Sequence, residues 1–178
     1  MSEQQIVDCD TGNGGCNGGW YDTAWKYIKG SAGVNSEISY PYEAKDGECR
    51  IDINGIIAHV STCHGGPNYV CETGGGRDGN EDNLVSALND RPQAVAVDAT
   101  YFQFYSGGIF TNTLCSRNSL NHAVFAVGYG SDGITDYYIV KNSWGATWGE
   151  DGYIRMQRGI NKDGGLCGIA DYPAYAMG

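Results

Sequence analysis

The chain has 178 residues, enough for one good core or for two small lobes sharing an interface. With 41% apolar and 18% charged residues, and no apolar run near the ~18 residues a bilayer span needs, it reads as soluble and globular, with no membrane role. A net charge of −10 with only 11 Lys and Arg, none clustered to neutralise phosphates, excludes nucleic acid as a partner.

Seven cysteines, none in a C-x-x-C pair, imply disulfides and an oxidising compartment, and the odd count leaves one thiol over. The opening MSEQQIVDCD is polar and lacks the apolar core of a signal peptide. An oxidised chain without an export signal is expected to be a piece of something longer.

Residues 1–9 suit the end of a helix, with Ile6 and Val7 as its apolar pair. A glycine turn around Cys16 follows. In GWYDTAWKYIKG, Trp20, Ala24, Trp25 and Ile28 recur at helical spacing and Gly30 supplies a stop. Residues 31–55 read as loop, with turn signals at Tyr40-Pro41 and Asp46-Gly47. From Ile56 the pattern changes to short alternating runs, which predict strands: IIAHV, then 93–99, 122–130, 136–144 and 152–159. One helix interrupts them at 81–90, capped by Asn80, with Leu84, Val85 and Leu88 inward and Pro92 beyond its end. Residues 63–80 are expected to form an exposed loop.

A glycine-flanked Cys16 next to Trp20 raises the question of a reactive thiolate. Of the three histidines, His59 and His64 read as ordinary surface or structural residues. His122 differs, because it opens one strand and KNSWG closes the next. A hairpin of that length returns Asn142 beside His122, where an amide oxygen can hold one imidazole tautomer and Trp144 can cover the bond, as nucleophilic catalysis requires. Spacing alone leaves a packed core histidine open as the other reading.

These residues carry a resemblance. NHAVFAVGYG, YYIVKNSWGATWGEDGYIRMQRG, SEQQIVDCD, GCNGGW and CGIADYPAY together resemble the papain family of cysteine peptidases, cathepsin L-like enzymes included. The resemblance implies an α+β, papain-like two-lobe fold. Residues 1–55 would be the remainder of the helical lobe, and 56–178 an antiparallel β-barrel lobe whose C-terminal tail returns toward the cleft.

It also implies a cysteine endopeptidase with His122 as base, Asn142 orienting it, Trp144 shielding the pair and Trp148 on the leaving-group side. Simple core packing is the other reading of each Trp. Substrate-binding positions would be Gly18, Gly19 and the Asn121 carbonyl, along the peptide backbone, and Trp20, Tyr21, Ala96, Ala123 and Tyr172, making an apolar subsite that prefers a hydrophobic residue. No cofactor or metal is expected. The expected partners are polypeptide substrates or peptide-like inhibitors and a missing N-terminal segment or propeptide, in a lysosomal, vacuolar or extracellular location.

One departure is clear. The family nucleophile lies in G-x-C-G-x-C-W roughly 130–150 residues before its His, and that count from His122 falls before Met1. The nucleophile is therefore expected to be absent from this chain and Cys16 to be a groove-strand cysteine left unpaired. By resemblance Cys9 pairs Cys49 and Cys115 pairs Cys167, and elimination leaves Cys63 with Cys71. Two free loop thiols, or a zinc site with His64, remain as alternatives for that last pair. The chain alone is expected to be inactive, as a truncated enzyme or as a short pseudo-peptidase that binds or inhibits peptides.

Overall fold

The computed structural model describes residues 1–71, 75–160 and 163–178. It divides into two compact units, Met1–His64 with Ala176–Gly178, and Gly65–Tyr175.

In the first unit, helix α1 (Glu3–Cys9) starts at Ser2, whose hydroxyl accepts from the Gln5 N–H at 3.0 Å and donates to the Tyr40 carbonyl at 2.6 Å. The face it buries is polar. Ile6 and Val7 are only half-buried, while Gln4 and Gln5 are 1% and 0% exposed. Gln5 accepts from the Asn35 N–H at 2.7 Å and donates to the Gly33 carbonyl at 2.9 Å. Gln4 accepts from the Glu43 N–H and donates to the Lys45 carbonyl, both at 2.8 Å. Buried loop backbone must find partners, and two glutamine amides provide them where a sheet would otherwise do so.

Asp8 takes the Tyr40 hydroxyl at 2.7 Å and the Gly47 N–H at 2.8 Å. Burial pushes this carboxyl up, but the Tyr40, Gln4 and Gly47 hydrogen bonds outweigh it and hold it below the usual range. Burial and the same bond push Tyr40 up to about 12. A disulfide joins Cys9 to Cys49.

Helix α2 (Tyr21–Gly30) buries only Asp22, so the expected stripe of Trp20, Ala24, Trp25 and Ile28 stays half-exposed. It ends at Gly30 as expected, with Ser31 as the cap, its N–H bonding the Tyr27 carbonyl at 2.9 Å. The 31–55 loop contains strand β1 (Val34–Asn35), which pairs antiparallel with β2 (Ile56–Ala58). Strand β3 (Thr62–Gly65) follows, preceded by a Ser61 N–H bond to the Met177 carbonyl at 2.8 Å.

In the second unit, residues 63–80 are not simply an exposed loop. β4 (Tyr69–Val70) pairs antiparallel with β5 (Gly75–Gly76), and Tyr69 is buried with its ring edge-on to Tyr172 at 5.1 Å. Residues 72–74 of that segment lie outside the described residues. A large buried aromatic overrides the glycine-rich composition that suggested exposure.

Helix α3 (Glu81–Asp90) begins at Asn80, whose side chain accepts from the Asp82 N–H at 2.8 Å, and seats Leu84 fully in the core with Val85 and Leu88 against it. The strands that follow are β6 (Gln93–Val97), β7 (Ile109–Phe110), β8 (His122–Ser131), β9 (Asp136–Lys141), β10 (Tyr153–Gln157) and β11 (Ala174–Met177). Their order is β11-β6-β8-β9-β10-β7.

All five residues of β6 are buried, as expected of a central strand covered on both faces. β6 pairs antiparallel with β8, setting Val97 opposite His122, and β9 pairs antiparallel with β8 and β10. The core gathers Val95, Val97, Val124, Tyr138, Ile154 and Met156, closed by the Cys115–Cys167 disulfide.

The architecture is α+β, but the sheet is open where a β-barrel was expected. β7 ends the order as a parallel partner of β10 and pairs with no other strand among the described residues. The strand expected over 136–144 stops at Lys141. The Asn142 N–H turns to the Gly152 carbonyl at 3.0 Å, and Gly145 at φ +89° starts a turn.

Beside the disulfide, Asp171 is fully buried and takes Nε of Arg117 at 3.1 Å and a second hydrogen bond from its Nη2, with Arg77 3.6 Å away. Asp171→Asn would leave the largely buried Arg117 with only the exposed Asp163 as counter-charge. The expected cost is about 3 kcal/mol, read as a lower urea midpoint at unchanged slope. A midpoint within experimental error of the parent would contradict this account of the second unit.

Candidate active site

His122 opens β8 and Asn142 directly follows β9, so the two-strand register carries both to the same end of the sheet. His122 Nε2 lies 2.8 Å from Asn142 Oδ1. The same oxygen accepts the Ser143 N–H at 2.8 Å. Reversing the amide would set an NH2 group against that N–H, so the atom facing the ring is the acceptor. Nε2 then carries the hydrogen, and in the neutral ring the lone pair is on Nδ1. The geometry thus fixes a tautomer with a free basic nitrogen.

Asn142 is 8% exposed, and Trp144 lies over the His122 ring with centroids 5.2 Å apart. Trp148 meets Trp144 at 5.3 Å and stacks on Phe102 at 6.1 Å, with Tyr105 at 5.6 Å. Sequence spacing indicated the two Trp residues but not Phe102 and Tyr105, which are distant in the chain. Glu150 fixes this loop by pairing with Arg155 at 2.7 Å and accepting the Gly108 N–H at 2.8 Å. Arg155 holds the Glu150 carboxyl below the usual range.

The segment entering His122 is held by a second carboxylate that sequence reading missed. Asp98, 4% exposed, accepts from the Ser116 N–H at 2.8 Å, from the Thr100 N–H and hydroxyl, and from Asn121. Asn121 in turn accepts the Ala99 N–H at 2.9 Å and donates its own N–H to the Val97 carbonyl at 3.1 Å. Burial pushes Asp98 up, but the Thr100, Ser116 and Asn121 hydrogen bonds outweigh it and leave the carboxyl lowered. The Asp-x-Thr spacing at 98–100 was the available local signal.

Among the remaining expected positions, Ala96 and Ala123 face each other in register, Ala96 buried and Ala123 exposed. Tyr172 is not a plain apolar wall. Arg77 Nε donates to its hydroxyl at 2.6 Å and the guanidinium lies 5.4 Å from its ring centroid. In the first unit Gly18 and Gly19 are exposed, Gly18 at φ +97°, and Asn13 bonds both the N–H and carbonyl of Trp20, whose ring stacks on Tyr21 at 4.9 Å.

Cys16 is exposed and unpaired, and its N–H binds the Asp46 carboxylate at 2.7 Å. Desolvation and then Asp46 push its thiol up, the opposite of what a nucleophile needs. Cys63 and Cys71 are both in disulfide linkage. Among the described residues no group of three His, Cys, Asp or Glu could hold a metal, and no helix is long and apolar enough to cross a membrane.

The profile described as papain family cysteine protease matches residues 1–177. The chain belongs to the papain family. It is 46% identical to Digestive cysteine proteinase 2 of Homarus americanus over 97% of its own length, and 42% identical to Zingipain-2 of Zingiber officinale over 99%. It spans 52% of the first relative and 76% of the second, so it covers only about half the length of several proteins it matches.

Among solved structures it superposes on the bromelain protease from Ananas comosus in complex with the E64 inhibitor at TM-score 0.85, 42% identity, covering 99% of this chain and 77% of that one. Digestive procathepsin L 3 of Tenebrio molitor larval midgut gives TM-score 0.87 and 44% identity, covering 98% and 54%. The fold is papain-like, in agreement with the resemblance read from the motifs.

Two outcomes follow from the site. Nitrogen-15 spectra of the neutral His122 ring are expected to show the Nε2–H tautomer, and Asn142→Ala to give a mixture of both tautomers. A pure Nδ1–H pattern in the parent would overturn the assignment. For Asp98, a carboxyl lowered by folding contributes stability above its unfolded pKa of about 3.9, and that stability is lost as pH falls through the lower folded value. Urea midpoints of the parent and Asp98→Asn should therefore differ most near neutrality and converge on acidification.

Proposed function

We propose that this chain is the base-bearing part of a papain-type cysteine endopeptidase. The observation that carries the reading is the Asn142 oxygen, shared between His122 Nε2 and the Ser143 N–H, which leaves Nδ1 as the proton acceptor. In the reaction, Nδ1 takes the proton of a cysteine thiol to give a thiolate and an imidazolium. The thiolate attacks the scissile carbonyl, and His122 returns the proton to the departing amine. Water then releases the acyl group and regenerates the thiol. In this reading Trp144 shields the orienting bond from water and Trp148 serves the leaving-group side.

In this reading the thiol is not one of the chain's own seven cysteines. Cys9, Cys49, Cys115 and Cys167 are in the two disulfides described above, Cys63 and Cys71 are disulfide-bonded, and the Cys16 thiol is pushed up by desolvation and by Asp46. Peptidase activity thus requires a cysteine from polypeptide beyond this chain. Candidate substrate contacts are the exposed backbone at Gly18–Gly19 beside Trp20 and Tyr21 in the first unit, and the Asn121 carbonyl, Ala123 and Tyr172 in the second. Extended peptides are the substrate class, and peptide-like inhibitors or a propeptide are the expected partners. Six cysteines in disulfides favour a vacuolar, lysosomal or extracellular setting.

The purified 178-residue chain is expected to hydrolyse fluorogenic peptides no faster than buffer. When it is joined to a family segment bearing the nucleophile, activity should appear and His122→Ala should lower kcat/KM by about 10²–10⁴. Hydrolysis by the bare chain that disappears on Cys16→Ser would replace this reading with one in which Cys16 is the nucleophile. Activity of the joined protein that is indifferent to His122→Ala would remove the base from it.

A further inference from the structure

A pocket of about 240 Å³ lies within the second unit between one face of α3, the turn after β3 and the start of β11. Asn83, Ala87 and Asp90 line it from the helix, Pro173 and Tyr175 from the other side, and Gln93 also lines it. Gln93 is 2% exposed. Its amide NH2 is used by the Arg91 carbonyl at 3.0 Å, and its Oε1 has no partner among the described residues.

Behind the lining residues Asn83 and Gly66 stands a carboxylate that does not itself line the pocket. Asp78 is 9% exposed, and its Oδ1 takes the Asn83 amide at 2.8 Å while its Oδ2 is buried without a partner. That oxygen lies next to Gly66, where a Cβ would come within 2.4 Å of it. One lining residue, Asp90, is a carboxylate, and Gln93 offers an acceptor. The positive charge nearby is Arg91, which already rests on the Tyr175 ring at 4.5 Å from its centroid.

We infer that this pocket binds an alkylguanidinium group, through the unpaired acceptor of Gln93 and the carboxylate of Asp90. A planar guanidinium presents five donors and two apolar faces, which suits several acceptors set among proline and tyrosine surfaces. The volume is below the roughly 300–1,000 Å³ of sites for drug-sized ligands and matches a single side chain. Gln93 starts β6 and Val97, the partner of His122, ends it, so the pocket sits roughly 13 Å along the strand from the imidazole. The inference is independent of the peptidase reading.

The test is nuclear magnetic resonance on the full 178-residue chain, titrated with butylguanidinium, with the neutral isostere butylurea, and with an acetyl-Gly-Arg-Gly amide peptide. Butylguanidinium should move the Gln93 side-chain amide and the Ala87 N–H saturably in the millimolar range expected of a fragment, about 1 mM. Butylurea should not. A peptide that binds at least about tenfold more tightly identifies a polypeptide arginine as the source, and equal binding identifies a free guanidine.

Asp90→Asn, at an exposed helix end, should weaken binding by about fivefold, and Ala87→Leu should abolish it by filling the pocket while preserving helix propensity. The inference is overturned if butylurea binds as well as butylguanidinium, or if no saturable shift is seen. It is also overturned if a cooperatively folded Ala87→Leu chain binds like the parent.

Discussion

The Asn142 amide oxygen accepts two hydrogen bonds, and the rest of the second unit is arranged so that both reach it. The β6–β8 register sets His122 opposite Val97, and the β8–β9 ladder brings the chain back one residue short of Asn142. The strand must end there, because a ladder continuing through residue 142 would commit its neighbours to extended geometry and take the Ser143 N–H away from the side-chain oxygen. Gly152 takes the Asn142 N–H instead. An amide, unlike a carboxylate, orients the imidazole without adding negative charge. In the proposed chemistry the counter-charge of the imidazolium is therefore left to the thiolate, which keeps the proton transfer reversible.

That arrangement has an unpaired remainder. Asn142 Nδ2 and Trp148 Nε1 are buried donors without acceptors among the described residues. Each such group costs about 1–3 kcal/mol, more than the net value of the hydrogen bond that orients the ring. The site is therefore stabilised from around it. Stacked aromatic rings at Phe102, Tyr105 and Trp148, and the Glu150–Arg155 pair that anchors the intervening loop to β10, supply the packing and fixed geometry that the amide itself cannot.

What could be read in the sequence was what repeats locally or is paired by a short connection. Asn80 and the spacing of Leu84, Val85 and Leu88 located α3, and alternation located β6, β8 and β10. The two-strand spacing brought His122 and Asn142 together, and the motif set pointed to the family. Contacts made across long chain separations left no such trace. Gln4 and Gln5 are polar in a helix whose apolar pair seemed the obvious inward face, and only loops thirty to forty residues away reveal why they are buried. β7 is two residues long and joins by parallel pairing, which no alternation can signal, and with it went the expectation of a closed barrel. Arg77 reaches Tyr172 across the unit, so a wall that composition made apolar carries a guanidinium.

Cys16 shows how the sign of a local field decides between two readings of the same residues. Its glycine neighbours keep it exposed and accessible, which is half of what a reactive cysteine requires. The other half is stabilisation of the thiolate by positive charge, and here the nearest side chain is Asp46, held against the Cys16 N–H, with Asp8 contributing in the same direction. Both carboxylates favour the thiol. The imidazole and its amide partner meet the opposite requirement in the second unit, where Nδ1 is free and no carboxylate hydrogen-bonds the ring among the described residues. Desolvation and the neighbouring carboxylates therefore set Cys16 against the nucleophilic role that its glycine-rich setting suggests in the sequence.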